Sequence, residues 1–398
     1  MRNPKNLPVA LRACAVLAAA TLTLSACGGT GSSQADQAIK VVASTTQICD
    51  YVSQLGSGGQ DLALTRTGAD GTTTELGADP AQAKAHLRLT CLLAPNASAH
   101  EHDMTPGQSK ALAEADLFLV NGVDLEHFLD AAITSTGFKG KMVVTSGVTG
   151  AVDVDDLAGQ QAKEKDLPYQ VDRGTSKVEV AEWPFPPEDG ESAPEFRFDP
   201  HVWTAPENAV VQVTNIGEAL AAAAPEPAVA DLLRQHTKDY TTLLNELDTW
   251  VRSSLDSVPV EQRVLFTSHD AFGYLAKSYD VKFQGAALSD FNAQQDATAQ
   301  KIQSTADEIK ASGAVAIFAE NSNNPKAVEK VAELAGVKAV IGDEALYGDS
   351  LGDPGSDGET YIGSVMHNVT NLVTAWDGTV APVPDSLKTW TPKQVVSK

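Results

Sequence analysis

Four short segments of this 398-residue chain carry side chains able to ligate a transition metal. They are Ala99-His100-Glu101-His102-Asp103-Met104-Thr105-Pro106, Asp199-Pro200-His201-Val202-Trp203, Thr267-Ser268-His269-Asp270-Ala271-Phe272-Gly273-Tyr274 and Tyr347-Gly348-Asp349-Ser350. Each stands just after a run that reads as a buried strand or just before one that reads as a helix, and in open α/β sheets ligands gather at the carboxyl ends of strands. Imidazole nitrogen and carboxylate oxygen suit zinc, which takes four such donors at about 2.0–2.2 Å in a tetrahedron. Three histidines and one aspartate fill all four positions and leave none for an activated water, the arrangement of a site that carries metal rather than catalyses with it. Spacing alone leaves this open: the segments are far apart, no His-Glu-x-x-His pair occurs, and a histidine after a strand more often satisfies a local polar need. Asp343, Asp353 and Asp357 crowd Asp349 as alternative carboxylates. Asp199 and Asp270 adjoin histidines and are placed to orient their rings. Glu320, at a strand end, reads as cleft wall or as another such group. His86, His127, His236 and His367 read as surface or packing residues.

Donors this scattered meet only if a fold gathers strand ends. Ile39–Ala43, Leu87–Leu93, Leu117–Val120 and Met142–Thr145 read as buried strands, and Arg263–Thr267, Val315–Ala319 and Val337–Ile341 repeat the pattern. Helical stretches such as Gly107–Ala115 and Asn324–Leu334 lie between them, so the fold class is α/β with parallel sheets, in two blocks. Between the blocks, Leu232, His236, Tyr240, Leu243, Leu247, Val251 and Leu255 recur at steps of three and four. They predict one helix within residues 225–257; about 30 helical residues are roughly 45 Å long, enough to run along both blocks. The expected lobes are therefore 38–224 and 258–398, joined by that helix. Two segments read as insertions in the first lobe: 57–85, polar and rich in Gly and Thr, and 151–198, with five prolines and twelve acidic against five basic residues. The second reads as a long surface loop.

Residues 1–27 read as a signal peptide: Arg2, Lys5 and Arg12 precede a short apolar run, Ala13 to Leu24, too short to span a bilayer. It ends in Leu24-Ser25-Ala26-Cys27, which resembles a bacterial lipobox; that resemblance implies that Cys27 is acylated and becomes the new N-terminus. Residues 28–37 read as a flexible tether. Loss of the signal removes three basic residues and no acid, leaving 26 Lys and Arg against 52 Asp and Glu. Such a surface repels nucleic acid and anionic lipid and suits a cation ligand. Cys49 and Cys91 remain as an even pair in an oxidising compartment. Cys49 follows the first strand and Cys91 lies in the second predicted one, so a disulfide is expected, the alternative being two buried thiols.

In this order and with these flanks, the four metal-donor motifs resemble those of the metal-binding solute-binding proteins of zinc and manganese ABC importers. The resemblance runs from about Ile39 to Trp376, and includes Asn121-Gly122-Val123-Asp124-Leu125-Glu126 and Tyr361 through Asn368. It implies two pseudo-symmetric α/β lobes joined by one long backbone helix, with metal bound in the cleft as transported cargo. Carried over, it implies His100, His201, His269 and Asp349 as ligands, with His102 as a possible alternate. The third position is a glutamate in relatives that carry manganese and a histidine in those that carry zinc, so His269 implies Zn2+, with Mn2+ possible. Ser98-Ala99 stands where the family commonly has Asp-Pro, and His102 where it has an aromatic.

The expected partners are an ABC importer's membrane permease and the lipid bilayer through the acyl anchor, with no nucleic acid and the chain acting as an extracytoplasmic monomer. Competing readings are a manganese-carrying homologue, a surface adhesin and a secreted zinc hydrolase with Glu101 as the general base. Because imidazoles must be deprotonated to bind metal, affinity is expected to fall below about pH 6.5. The anchor has its own test: a Cys27→Ala variant is expected free of the membrane fraction, and its retention there would refute acylation.

Overall fold

The computed structural model describes residues 38–100, 102–185, 194, 196–286 and 299–396; Cys27, the tether 28–37 and Glu101 lie outside them. The first half runs β1 (Ile39–Ala43), α1 (Thr46–Gly56), β2 (Leu62–Thr67), β3 (Thr73–Gly77), β4 (Ala85–Cys91), α2 (Pro106–Ala113), β5 (Leu117–Val120), α3 (Leu129–Thr136), β6 (Lys141–Val144), α4 (Ala151–Glu164) and β7 (Gln170–Asp172). Helices α5 (Pro206–Ala223) and α6 (Pro227–Leu255) follow. The second half runs β8 (Val264–Thr267), α7 (Gly273–Ser278), β9 (Lys282–Ala286), α8 (Ala299–Ser312), β10 (Ala316–Phe318), α9 (Lys326–Ala335), β11 (Lys338–Val340) and α10 (Tyr361–Ala375).

The strands form two sheets, β3-β2-β4-β1-β5-β6-β7 and β11-β10-β8-β9, parallel throughout except where β3 pairs with β2. A shared unit is visible in their order. In each lobe the first strand of the unit is central, the second lies on one side, the third on the other and the fourth outside the third: β4-β1-β5-β6 matches β9-β8-β10-β11. Both faces of a parallel sheet are covered, and the side chains show it. Val41 and Ala43 join the core shared with the helices between the lobes, while Val42, between them, joins a second core with Phe118 and Val144.

Helix α6 begins with Pro227 at its first position, where the missing N–H is no loss. Val229, Leu233, Tyr240, Leu244, Leu247 and Val251 are buried on it, in one continuous core with Val41 of the first sheet and Leu265 and Phe318 of the second. The apolar stripe read from sequence is offset in the first half of the helix. Leu233 and Leu244 are buried, whereas Leu232, His236 and Leu243 are half-buried flanks. The helix packs against α5, α1 and α10 and so covers a wide arc, which a single-stripe reading cannot centre.

The composition-based reading of 151–198 as a loop is corrected: α4 and β7 lie within it, and β7 extends the sheet beside β6. Arg173 holds α4 at both ends, with bidentate bonds to Asp153 and Glu164. Similarly, 57–85 contains β2 and β3, and β2 pairs along its length with β4. Edge strand β3 is polar and exposed, and β2 has only the short apolar run Leu62–Leu64 before it turns polar, too little to stand out by composition.

Cys49 and Cys91 form a disulfide, with Cα atoms 5.6 Å apart. Register explains it: Cys91 pairs with Ala43, so β4 ends beside the turn into α1, which carries Cys49 in its first turn. The oxidised protein is expected to show no alkylatable thiol at either position by mass spectrometry. Replacing both cysteines by alanine is expected to lower stability by up to about 4 kcal/mol in urea titrations; an unchanged unfolding midpoint would contradict the brace.

Candidate metal centre

The four implied donors reach one point through four separately anchored loops. After β4, the chain is pinned where Gln108 Nε2 donates to Leu92 O (2.8 Å), and Gln108 Oε1 accepts the Thr105 N–H (2.9 Å) in the capping box of α2. His100 is buried in this loop, beside buried Ala99. Before α5, Asp199 Oδ1 accepts both the backbone N–H of His201 (2.9 Å) and a proton from its Nδ1 (2.8 Å). That bond leaves Nε2 bare for a metal. Tyr274 Oη donates to Asp199 O (2.9 Å), and a Cβ on Gly273 would overlap Asp199 Oδ2. The Gly and Tyr of the third motif thus support the Asp of the second. Asn121 Nδ2 donates to Pro200 O (2.9 Å), and the turn carrying Asn121 is itself held by Glu126, which accepts the Asn121 N–H (2.6 Å).

In the C-terminal lobe, His269 follows β8 and its N–H donates to Glu320 Oε1 (3.0 Å). Asp349 is gripped from the other lobe: Gln47 Nε2 donates to its carbonyl (3.1 Å), and Trp203 Nε1 to that of Gly348 (3.0 Å). Ser98, where the motif departs from the family pattern, donates to Asp349 Oδ2 (3.1 Å).

The resulting cluster is compact. His201 Nε2 lies 3.1 Å from His100 Nε2 and 3.3 Å from His269 Nε2. The Asp349 carboxylate lies 3.4, 3.5 and 3.3 Å from the Nε2 atoms of His100, His201 and His269. A tetrahedron with vertices about 2.0–2.2 Å from its centre has edges of about 3.3–3.6 Å, so these separations fit one zinc-sized ion. All four residues are buried, none more than 5% exposed. Aromatic rings roof them: Phe196 lies 5.6 Å from His100 and Trp183 lies 6.2 Å from His201. Both belong to a strap from the acidic segment, tied by Trp183 N–H to Arg197 O (3.0 Å) and reaching the other lobe where Phe185 meets Phe283.

Burial disfavours charge on every ring. It pulls His100 down to about 4. At His269 burial is outweighed by the Asp349 carboxylate, with Glu320 and Asp270 nearby, and the pKa is pushed up to about 10. Burial would likewise raise Asp349, but His269 and His100 hold it well below the usual carboxylate range. Glu320 is pushed up to about 8 by burial.

His102 is outside the cluster, with Nε2 3.2 Å from Gln108 Oε1 and its ring against Phe128. Asp343 and Asp353 are exposed, and Asp357 accepts the N–H groups of Lys393 and Gln394. His127 stacks on Phe196, His236 meets Leu55 O, His86 meets Thr65 and His367 is buried in α10. Gln47 and the aromatic strap were not singled out from sequence, and Ser98 was noted only as a departure from the family pattern. Gln47 contacts Asp349 across 302 positions, and nothing near it marks that role.

The family model described as zinc-uptake complex component A, periplasmic, matches residues 41–375. The manganese-binding lipoprotein MntA of Bacillus subtilis is 27% identical over 360 residues, 89% of this chain and 96% of that protein. The iron-binding protein YfeA of Yersinia pestis is 28% identical over 278 residues, 70% of this chain and 76% of that one. Among solved structures, the periplasmic zinc-binding protein TroA of Treponema pallidum superposes with a TM-score of 0.59 at 25% identity, covering 84% of this chain and 98% of that chain.

The electrostatics move the pH dependence expected from unperturbed histidines. With a pKa near 10, His269 carries a proton at pH 7 in the empty site, and an incoming cation must displace it. Affinity is therefore expected to rise about tenfold per pH unit through neutrality, flatten above about pH 10 and fall more steeply near pH 4, where His100 also protonates. Calorimetry in buffers of different ionisation enthalpy is expected to show about one proton released per ion at pH 7; release of none would contradict this assignment.

Proposed function

Since the chain belongs to the periplasmic zinc-uptake component A family, whose members are metal-binding components of ABC importers and not enzymes, we propose that it captures one Zn2+ outside the cytoplasm and hands it to a membrane permease. His100, His201, His269 and Asp349 hold the ion as cargo, between lobes 38–224 and 258–398 about the linking helix 225–257. The chain acts as a monomer, anchored to the membrane through acylated Cys27.

The observation that carries this reading is a closed set of three imidazole nitrogens and one carboxylate at tetrahedral separations, in a site that bulk water barely reaches. A catalytic zinc needs an open position for water, which four protein donors do not leave. The relatives divide among zinc, manganese and iron by name, so the choice of ion rests on the donors themselves. Three imidazoles favour zinc over manganese, which prefers more oxygen. Outside the site, the excess of acidic residues favours the approach of cations over anions.

Elemental analysis of purified protein is expected to find one zinc per chain, and His269→Ala to lose it. In competition titrations the wild type is expected to bind zinc more tightly than manganese, with His269→Glu shifting the preference toward manganese. Equal affinity of the wild type for the two ions would sink the zinc assignment while leaving metal transport standing.

A further inference from the structure

We infer that Glu320 is a positioning residue, a buried spacer between the turns carrying His269 and Asp349 that sets their separation and with it the size of ion the site accepts. The inference rests on the zinc-binding reading above and deepens it.

Glu320 lies two residues beyond β10, the strand beside β8, and is 1% exposed. Its backbone is locked between both turns. Its N–H donates to Ser268 Oγ (2.9 Å), and it bridges in parallel to Leu346, three residues before Asp349. The next residue repeats the clasp: Asn321 N–H donates to Leu346 O (2.9 Å), and its Nδ2 to Ser350 O (3.1 Å). The side chain then fills the gap. Oε1 accepts the His269 N–H at 3.0 Å, and Oε2 lies over Gly348, where any Cβ would overlap it. The three atoms nearest to where a Cβ at Gly348 would stand all belong to Glu320, so this side chain packs directly on the residue before Asp349.

Oε2 has no hydrogen-bond partner among the described residues. A buried polar atom left unsatisfied is costly, and a hydrocarbon would fill the same space without that penalty. Nor does Glu320 belong to the converging cluster, since Oε1 is committed to the His269 backbone. What the carboxylate does that a hydrocarbon cannot is to fix the His269 backbone with one oxygen while its planar head presses the Gly348 turn with the other. The outcome is the 3.3 Å separation of His269 Nε2 from Asp349 Oδ1. If the spacer is removed, the edge loosens and the cage ceases to exclude a larger ion that prefers oxygen donors.

The test compares Glu320→Ala and Glu320→Gln with the wild type, titrating each with Zn2+ and Mn2+ and recording the visible absorption of the Co2+ forms. Glu320→Gln keeps the shape and the Oε1 acceptor, and is expected to stay within about threefold of wild type for both ions. Glu320→Ala is expected to bind Zn2+ about 10–100-fold more weakly. Its loss for Mn2+ should be smaller, with a weakened tetrahedral Co2+ band. Equal losses for both ions with an unaltered Co2+ spectrum, or no loss at all, would overturn the inference. Thermal melts verify folding; should the alanine variant not fold, Glu320→Asp, one carbon shorter, takes its place with the same criteria. The wild-type zinc stoichiometry, measured in the same series, tests the underlying zinc reading separately.

Discussion

Three imidazole Nε2 atoms and a carboxylate converge at separations of 3.1 to 3.5 Å in a region nearly closed to water. Protons cannot satisfy such a set. Two Nε2 atoms share one proton at most, and burial penalises each further charge placed on the rings. The cluster settles with its proton on His269 and its negative charge on Asp349. A single divalent cation satisfies all four donors at once. Atoms facing away from the centre are tied down: Asp199 holds the far side of His201, and Gln47 the Asp349 backbone.

That constraint passes through the two-lobe architecture. His100 and His201 come from the first lobe, His269 and Asp349 from the second, each from a loop near a strand end or a helix start. The donors do not come from corresponding loops of the shared four-strand unit: His100 follows its second strand, β4, while His269 follows the first, β8, and Asp349 comes after the fourth, β11. Helix α6 and a core continuous across both lobes keep the sheets in one relation. An ion in the cleft would add a link between lobes already joined by bonds such as Trp203 to Gly348 and Tyr274 to Asp199, and would stabilise that arrangement by mass action. The aromatic strap completes the enclosure. Trp183 and Phe196 supply apolar area where a polar loop would let water in, and the strap runs directly into Asp199 and His201.

By itself the sequence determined what local chemistry can state. Ile39–Ala43 and Leu117–Val120 read as strands because β-branched and apolar runs of that length have few alternatives, and those are their bounds in the fold. The three histidine motifs and the Tyr-Gly-Asp-Ser turn were legible because each places a ligand-type residue against a strand end or helix start. Only the tertiary structure decided which side chains meet. The pairing of β2 with edge strand β3, the grip of Gln47 on Asp349 and the packing of Glu320 on Gly348 join residues from six to about three hundred positions apart, and only the fold buries Asp349 while leaving Asp343 and Asp353 exposed. Periodicity and turn chemistry act over a few residues. Contacts across hundreds are set by how strands order themselves in a sheet and by which atoms then compete for the same space.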